Sequence, residues 1–162
     1  MSLKFRNKNI NYIGFEPDIE TFNCLKLNNP EPRNTFYNQA LSNKTKNQEF
    51  YLDNVGGNSS LVDFGGAKST LISTIELDKV ELPEKIQLFK IDAEGFEPEV
   101  IEGSLNTLPK INYIAVDYGY ERGKNENSTI VQVNEILYSQ NFELVEFSEH
   151  RLIGLYENKA FK

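Results

Sequence analysis

Leu88-Phe89-Lys90-Ile91-Asp92-Ala93-Glu94-Gly95-Phe96-Glu97-Pro98-Glu99 is the stretch that decides the fold. Leu88, Phe89 and Ile91 form a short apolar run, the pattern of a buried strand. Asp92 and Glu94 follow where the C-terminal end of that strand opens. Gly95 turns the chain, and Pro98 fits the first turn of a helix, where a missing N–H goes unnoticed. In open α/β sheets, ligands bind beyond the C-terminal ends of the strands. Asp92 and Glu94 are therefore the first candidates for catalytic groups.

Working outward, strands and helices alternate. A strand is predicted over residues 10–15. A helix follows from Glu16-Pro17-Asp18 to about Leu27, with Ile19, Phe22 and Leu25 on its apolar side and Cys24 as a small buried group. The run from Asn28 to Pro32 ends it. Further strands are predicted over 35–41, 49–52 and 70–77. Between them, the glycine-rich run from Asn54 to Gly66 reads as a mobile loop and a candidate lid. Beyond the central stretch come a helix over 98–105 and a strand over 113–117 ending in Asp117. A polar loop leads to a helix capped by Ser128, carrying Ile130, Val133 and Leu137 at helical spacing. Asn141 suits a left-handed helix end, and residues 143–147 and 152–156 read as an antiparallel hairpin with His150 in its turn. The alternation predicts an α/β sandwich with a mostly parallel sheet.

At 162 residues the chain is read as one domain with a real core. Its net charge of −7 argues against a nucleic-acid backbone as partner. One His and one Cys make a zinc site of nitrogen and sulfur ligands improbable, and no metal is expected. No apolar run is long enough to span a membrane and no signal-peptide pattern occurs, so a cytoplasmic location without membrane partners is expected. Gly14-Phe15-Glu16-Pro17-Asp18 and Gly95-Phe96-Glu97-Pro98-Glu99 resemble each other, and both lie where a strand gives way to a helix. Two turns reaching the same solution, with acids near the positive helix end, explains this better than a duplication.

Lys90-Ile91-Asp92-Ala93-Glu94-Gly95 resembles the signature of the FkbM-type methyltransferases, which use S-adenosylmethionine (SAM). The resemblance extends over roughly residues 10–157, through Phe15-Glu16-Pro17, Asn38-Gln39-Ala40-Leu41-Ser42, Thr74-Ile75-Glu76-Leu77-Asp78 and Glu102-Gly103-Ser104. It implies a Rossmann-like sheet of seven strands with an antiparallel C-terminal hairpin. It also implies methyl transfer, usually to a hydroxyl oxygen of a small molecule or sugar. By that resemblance Glu16 would hold the ribose hydroxyls of SAM, and Ala40, Leu41 and Ser42 would lie near the adenine. Asp92 would sit near the methionine end of the cofactor or near the acceptor, with Glu94 beside it.

One departure from the family pattern shapes the expectation. Only fifteen residues precede Glu16, and no Asp-x-Gly-x-x-x-Gly loop occurs among them. Such a loop brings backbone close to a cofactor, which glycine permits. The chain therefore reads as a truncated domain lacking the first, central strand, whose two orphaned strand edges pair with each other or with a second copy. A different reading is a non-catalytic α/β remnant that associates through those edges. A third, another nucleotide-binding α/β enzyme, lacks a phosphate-cradling glycine pattern.

Overall fold

A computed structural model describes residues 10–52, 59–65 and 68–162 of the chain. It is a mixed α/β structure of nine strands and three helices among these residues. In chain order they are β1 (Ile13–Phe15), α1 (Ile19–Asn28), β2 (Thr35–Tyr37), β3 (Ala40–Leu41), β4 (Lys46–Leu52), β5 (Lys68–Ile75), β6 (Ile86–Ile91), α2 (Glu97–Glu102), β7 (Ile111–Asp117), α3 (Ile130–Ser139), β8 (Phe142–Ser148) and β9 (Ile153–Asn158). No described helix is long and apolar enough to cross a membrane.

The core lies on the C-terminal half. Four strands run in the order β6-β7-β9-β8, with β6 and β7 parallel and β7-β9-β8 antiparallel. The closing hairpin is thus antiparallel, as the sequence predicts. Strand β7 is central and buries Ile111, Ile114 and Val116. Against it pack Val100 and Ile101 of α2 and Val133 and Leu137 of α3. The last pair is spaced i, i+4, one stripe of the helix. Helix α3 ends as expected, with Asn141 at φ 63° just beyond its cap. It begins one residue later than expected: Thr129 is its N-cap, and Ser128 accepts from Ile130 N–H at 3.3 Å.

The N-terminal half is looser. Strands β1 and β2 form a parallel pair on their own, and β3-β5-β4 form a second small sheet. Parallel and antiparallel pairings are therefore equal in number among the described strands, where a mostly parallel sheet is expected. The predicted strand over 35–41 breaks in two, for a side-chain reason. The Asn38 amide donates to the Glu16 and Pro17 carbonyls, ending β2, while the Gln39 amide donates to Ser73 and steers β3 onto β5.

Helix α1 is N-capped by Asp18, which accepts from Thr21 N–H at 2.8 Å. None of its residues is buried. Ile19 lies in the open, Phe22 and Leu25 are only half-covered, and Cys24 is exposed rather than buried, because among the described residues no second layer covers this helix. The orphaned edges expected of β1 and β6 do not pair with each other among the described residues.

Candidate active site

Four carboxylates gather where the parallel strands β6 and β7 end. Asp92 follows β6 and Asp117 closes β7. Glu94 stands in the turn after Asp92, and Glu121 in the loop after β7. Asp92 is exposed and forms an ion pair with Lys90. The Glu121 carboxylate folds back over Gly119.

Glu94 is half-buried. Burial first, then the charges of Asp92, Glu121, Glu97 and Asp117, raise its carboxyl from 4.5 to about 7. The same two causes, burial and neighbouring acids, raise Asp117 and Glu121. A carboxyl poised near neutrality can take a proton from a substrate and return it to water.

The turn that carries Glu94 is shaped by its own backbone. Glu94 has φ 50° and Gly95 φ 91°, two consecutive left-handed residues. A β-carbon at position 95 would lie 2.7 Å from the Arg122 Cα, so this turn requires glycine twice over. Arg122 forms a two-pronged pair with Glu99 at 2.9 and 2.7 Å and also donates to the Gly95 carbonyl at 2.6 Å. Ser60 donates to the Glu94 carbonyl at 2.7 Å.

Ser60 belongs to the glycine-rich run read as a lid. Residues 54–58 and 66 of that run lie outside the described residues. Its described part is anchored: Ser60 exchanges backbone hydrogen bonds with Tyr51, and Asp63 pairs with Lys124 at 3.0 Å.

Glu16 lies at the end of β1, on a different sheet from Asp92. It is half-buried, and one carboxylate oxygen accepts from Asp18 N–H at 2.9 Å. Burial and then the charge of Asp18 raise its pKa against that hydrogen bond. No described hydrogen bond or ion pair joins it to the acids beyond β6. Ala40 and Ser42 are buried, and Leu41 packs on the core. The Ser42 carbonyl lies hard against Gly103. That trio therefore presents little free side-chain surface. His150 is exposed in the hairpin turn.

Residues 2–144 match the family described as Methyltransferase FkbM domain. The chain belongs to the FkbM methyltransferase family. Hexuronic acid methyltransferase AglP of Haloferax volcanii is 27% identical to it over 155 residues, 91% of this chain and 63% of that protein. The crystal structure of Methyltransferase FkbM from Methylobacillus flagellatus KT shares the fold, with a TM-score of 0.54 at 18% identity. That likeness covers 90% of this chain and 36% of the other. The FkbM-family chain thus spans less than two thirds of the length of either. Membership implies a methyl donor.

Several residues around this family signature escaped the sequence reading. Glu97 is 1% exposed; one oxygen accepts from Ala93 N–H at 3.1 Å and Gly95 N–H at 2.9 Å, the other from the Thr129 hydroxyl at 2.8 Å. Thr74 and Asp78, both in segments that resemble the family, also hold structure together. Thr74 donates toward the Lys44 and Lys46 carbonyls, and Asp78 receives the backbone N–H groups of Asn106 and Thr107. A strongly polar residue before a proline was the available signal for Glu97, but it suits a helix-end charge equally well.

Proposed function

We propose that this FkbM-family chain is a SAM-dependent methyltransferase domain that methylates a hydroxyl oxygen of a sugar or other small molecule. The observation that carries the reading is the gathering of Asp92, Glu94, Asp117 and Glu121 at the C-terminal ends of two parallel strands. The donor set suits the cofactor's chemistry. Glu16 has one carboxylate oxygen without a described hydrogen bond and could accept from a ribose hydroxyl. Asp92, exposed beside the signature turn, suits a cationic group. Ala40, Leu41 and Ser42 would be neighbours of the adenine rather than side-chain ligands. SAM supplies, when bound, a methyl group made electrophilic by its sulfonium.

Within that reading, Glu94 would take the proton of the acceptor hydroxyl, while SAM would supply the methyl group by exchanging its S–C bond for the new O–C bond and leaving as the neutral thioether. Asp92 orients the reacting groups, since alkyl transfer needs mainly alignment. A hexuronic acid is a reasonable first acceptor, given the name of the AglP relative. The strand order β6-β7-β9-β8 supports a Rossmann-like sheet in which a further central strand would lie between β1 and β6.

Calorimetric titration with SAM and its demethylated product tests the cofactor, and a hexuronic acid panel then tests the acceptor. Micromolar binding that Glu16→Ala leaves unchanged removes the ribose role. Methyl transfer that runs at full rate in Asp92→Asn removes Asp92 from the chemistry.

A second reading is favoured by a separate observation. Helix α1 has no fully buried residue, and Leu71 and Leu88 are 72% and 51% exposed. A module that associates through these surfaces, as a homo-oligomer, would leave them covered. Concentration-dependent sedimentation with no SAM binding supports this reading over catalysis.

A further inference from the structure

We infer that Glu97 is a positioning residue that clamps the Asp92–Glu94 turn from beneath, fixing where the proton-accepting carboxylate stands. The inference rests on the methyltransferase reading for its catalytic meaning, while the clamp itself stands on geometry alone.

Successive N–H groups in a turn of this kind converge into a concavity that attracts an anion. Here the anion is the protein's own. A single Glu97 oxygen accepts from both Ala93 and Gly95, the residues on either side of Glu94. The second oxygen is held by Thr129, the N-cap of α3, so the turn is tied to the helix across it. The N–H groups of the turn therefore point down into the buried carboxylate, and the carboxylates of Asp92 and Glu94 are left to the outer side. With their N–H groups engaged by Glu97, Ala93 and Gly95 have none to offer a nucleotide phosphate. The turn's carbonyls are engaged as well, that of Glu94 by Ser60 and that of Gly95 by Arg122. Glu97 and Ser60 are both 1% exposed, and of these contacts that of Glu97 ties the turn to α3.

Glu97 acts on Glu94 by charge as well as by shape. The groups facing Glu94 are Asp92 after β6, Asp117 at the end of β7, Glu121 in the following loop and Glu97 in α2. The nearby cations serve other acids: Lys90 pairs with Asp92, Arg151 acts on Asp117, and Arg122 pairs with Glu99. Glutamine at position 97 separates the two effects. Its amide oxygen can accept from both N–H groups, and its amide nitrogen can donate to Thr129, which can turn its hydroxyl to the Tyr118 carbonyl. Shape is kept and charge is lost.

Hydrogen exchange on the full chain, without cofactor, reads the clamp directly. In Glu97→Ala, exchange at the Ala93 and Gly95 amides should rise about ten- to a hundredfold, as for hydrogen bonds to a charged acceptor. Exchange in β7 should stay within about threefold. Glu97→Gln should restore protection and move the Glu94 carboxyl titration, followed by carbon NMR, to lower pH. Unchanged exchange at Ala93 and Gly95 in Glu97→Ala overturns the clamp. Should Glu97→Ala fail to fold, the parent chain decides: Ala93 and Gly95 amides that exchange there at unprotected rates overturn the clamp. Methyl-transfer kinetics complete the test, with kcat lowered at least tenfold in Glu97→Ala, SAM affinity unchanged, and Glu97→Gln within about threefold of the parent. A parent chain that binds no SAM sinks the methyltransferase reading, while the exchange result still judges the clamp.

Discussion

Alanine at position 95 meets two separate penalties. The first is conformational: φ 91° lies in the left-handed region, which disfavours an L side chain by about 1–2 kcal/mol. The second is steric: the new β-carbon would fall 2.7 Å from the Arg122 Cα, 2.8 Å from its nitrogen and 2.9 Å from the Glu121 carbonyl carbon. These are backbone atoms and cannot rotate aside, so a further 1–3 kcal/mol, roughly the scale of overpacking, is expected. Gly65 provides the control. It has nearly the same φ, 93°, but its nearest neighbours are Lys124 side-chain carbons at 3.7 Å. Gly65→Ala should thus cost only the first penalty. Urea unfolding followed by circular dichroism measures both. With a slope of about 2 kcal/mol/M, Gly95→Ala should lower the midpoint by roughly 1–2.5 M and Gly65→Ala by about 0.5–1 M. Equal losses within about 0.5 kcal/mol would mean that the Arg122 loop does not lie against the signature turn. The loop after β7 would then not brace the turn that carries Glu94.

Two further outcomes follow from the same region and its core. Glu94 binds its proton more tightly folded than unfolded, so the folded chain is favoured at low pH and loses stability as pH rises from 4.5 to about 7. The full interval corresponds to about 3 kcal/mol. Solvent contact reduces this to about 1–2 kcal/mol. Glu94→Gln should therefore stabilise the chain by that amount at pH 8 and leave it unchanged at pH 4.5, as denaturant titrations at the two pH values would show. Tyr156→Phe breaks a buried chain in which Tyr156 bonds the Tyr118 hydroxyl and donates to Asn134 at 2.6 Å. A loss of about 1–3 kcal/mol in urea unfolding is expected, and a loss below 0.5 kcal/mol would mean water replaces the partner.

The C-terminal half was legible because local pattern and burial agree there. The apolar run of β7, the i, i+4 stripe of α3 and the left-handed Asn141 each speak for themselves. The N-terminal half misled where local pattern had no partner to act upon. Ile19, Phe22 and Leu25 have helical spacing, and the helix forms, but the described residues cover that face only in part. Spacing reports which face could be covered; it is silent on whether a covering layer exists. The break at Asn38 was hidden for another reason, since side-chain amides that reach carbonyls some twenty residues back leave no local signature.

The two Gly-Phe-Glu-Pro segments carry this argument furthest. As letters they are the same device, and both precede a helix. In the first, Gly14 and Phe15 are still strand, and the Glu16 carboxylate reaches forward to Asp18 at the helix start. In the second the strand has already ended at Ile91, so Gly95 falls in a left-handed turn and Glu97 reaches back to Ala93 and Gly95. The difference arises from a few residues of register. Where the glycine is extended, its N–H is directed into the strand geometry and the glutamate is left at the sheet's edge. Where it is left-handed, two N–H groups converge and draw the glutamate inward beneath the turn. One glutamate is thereby left half-open at a strand end, suited to meeting a ligand, and the other is buried, suited to holding a neighbour in place. A carboxylate's placement here goes with the φ of a glycine two residues before it, and no reading of the letters alone distinguishes the two.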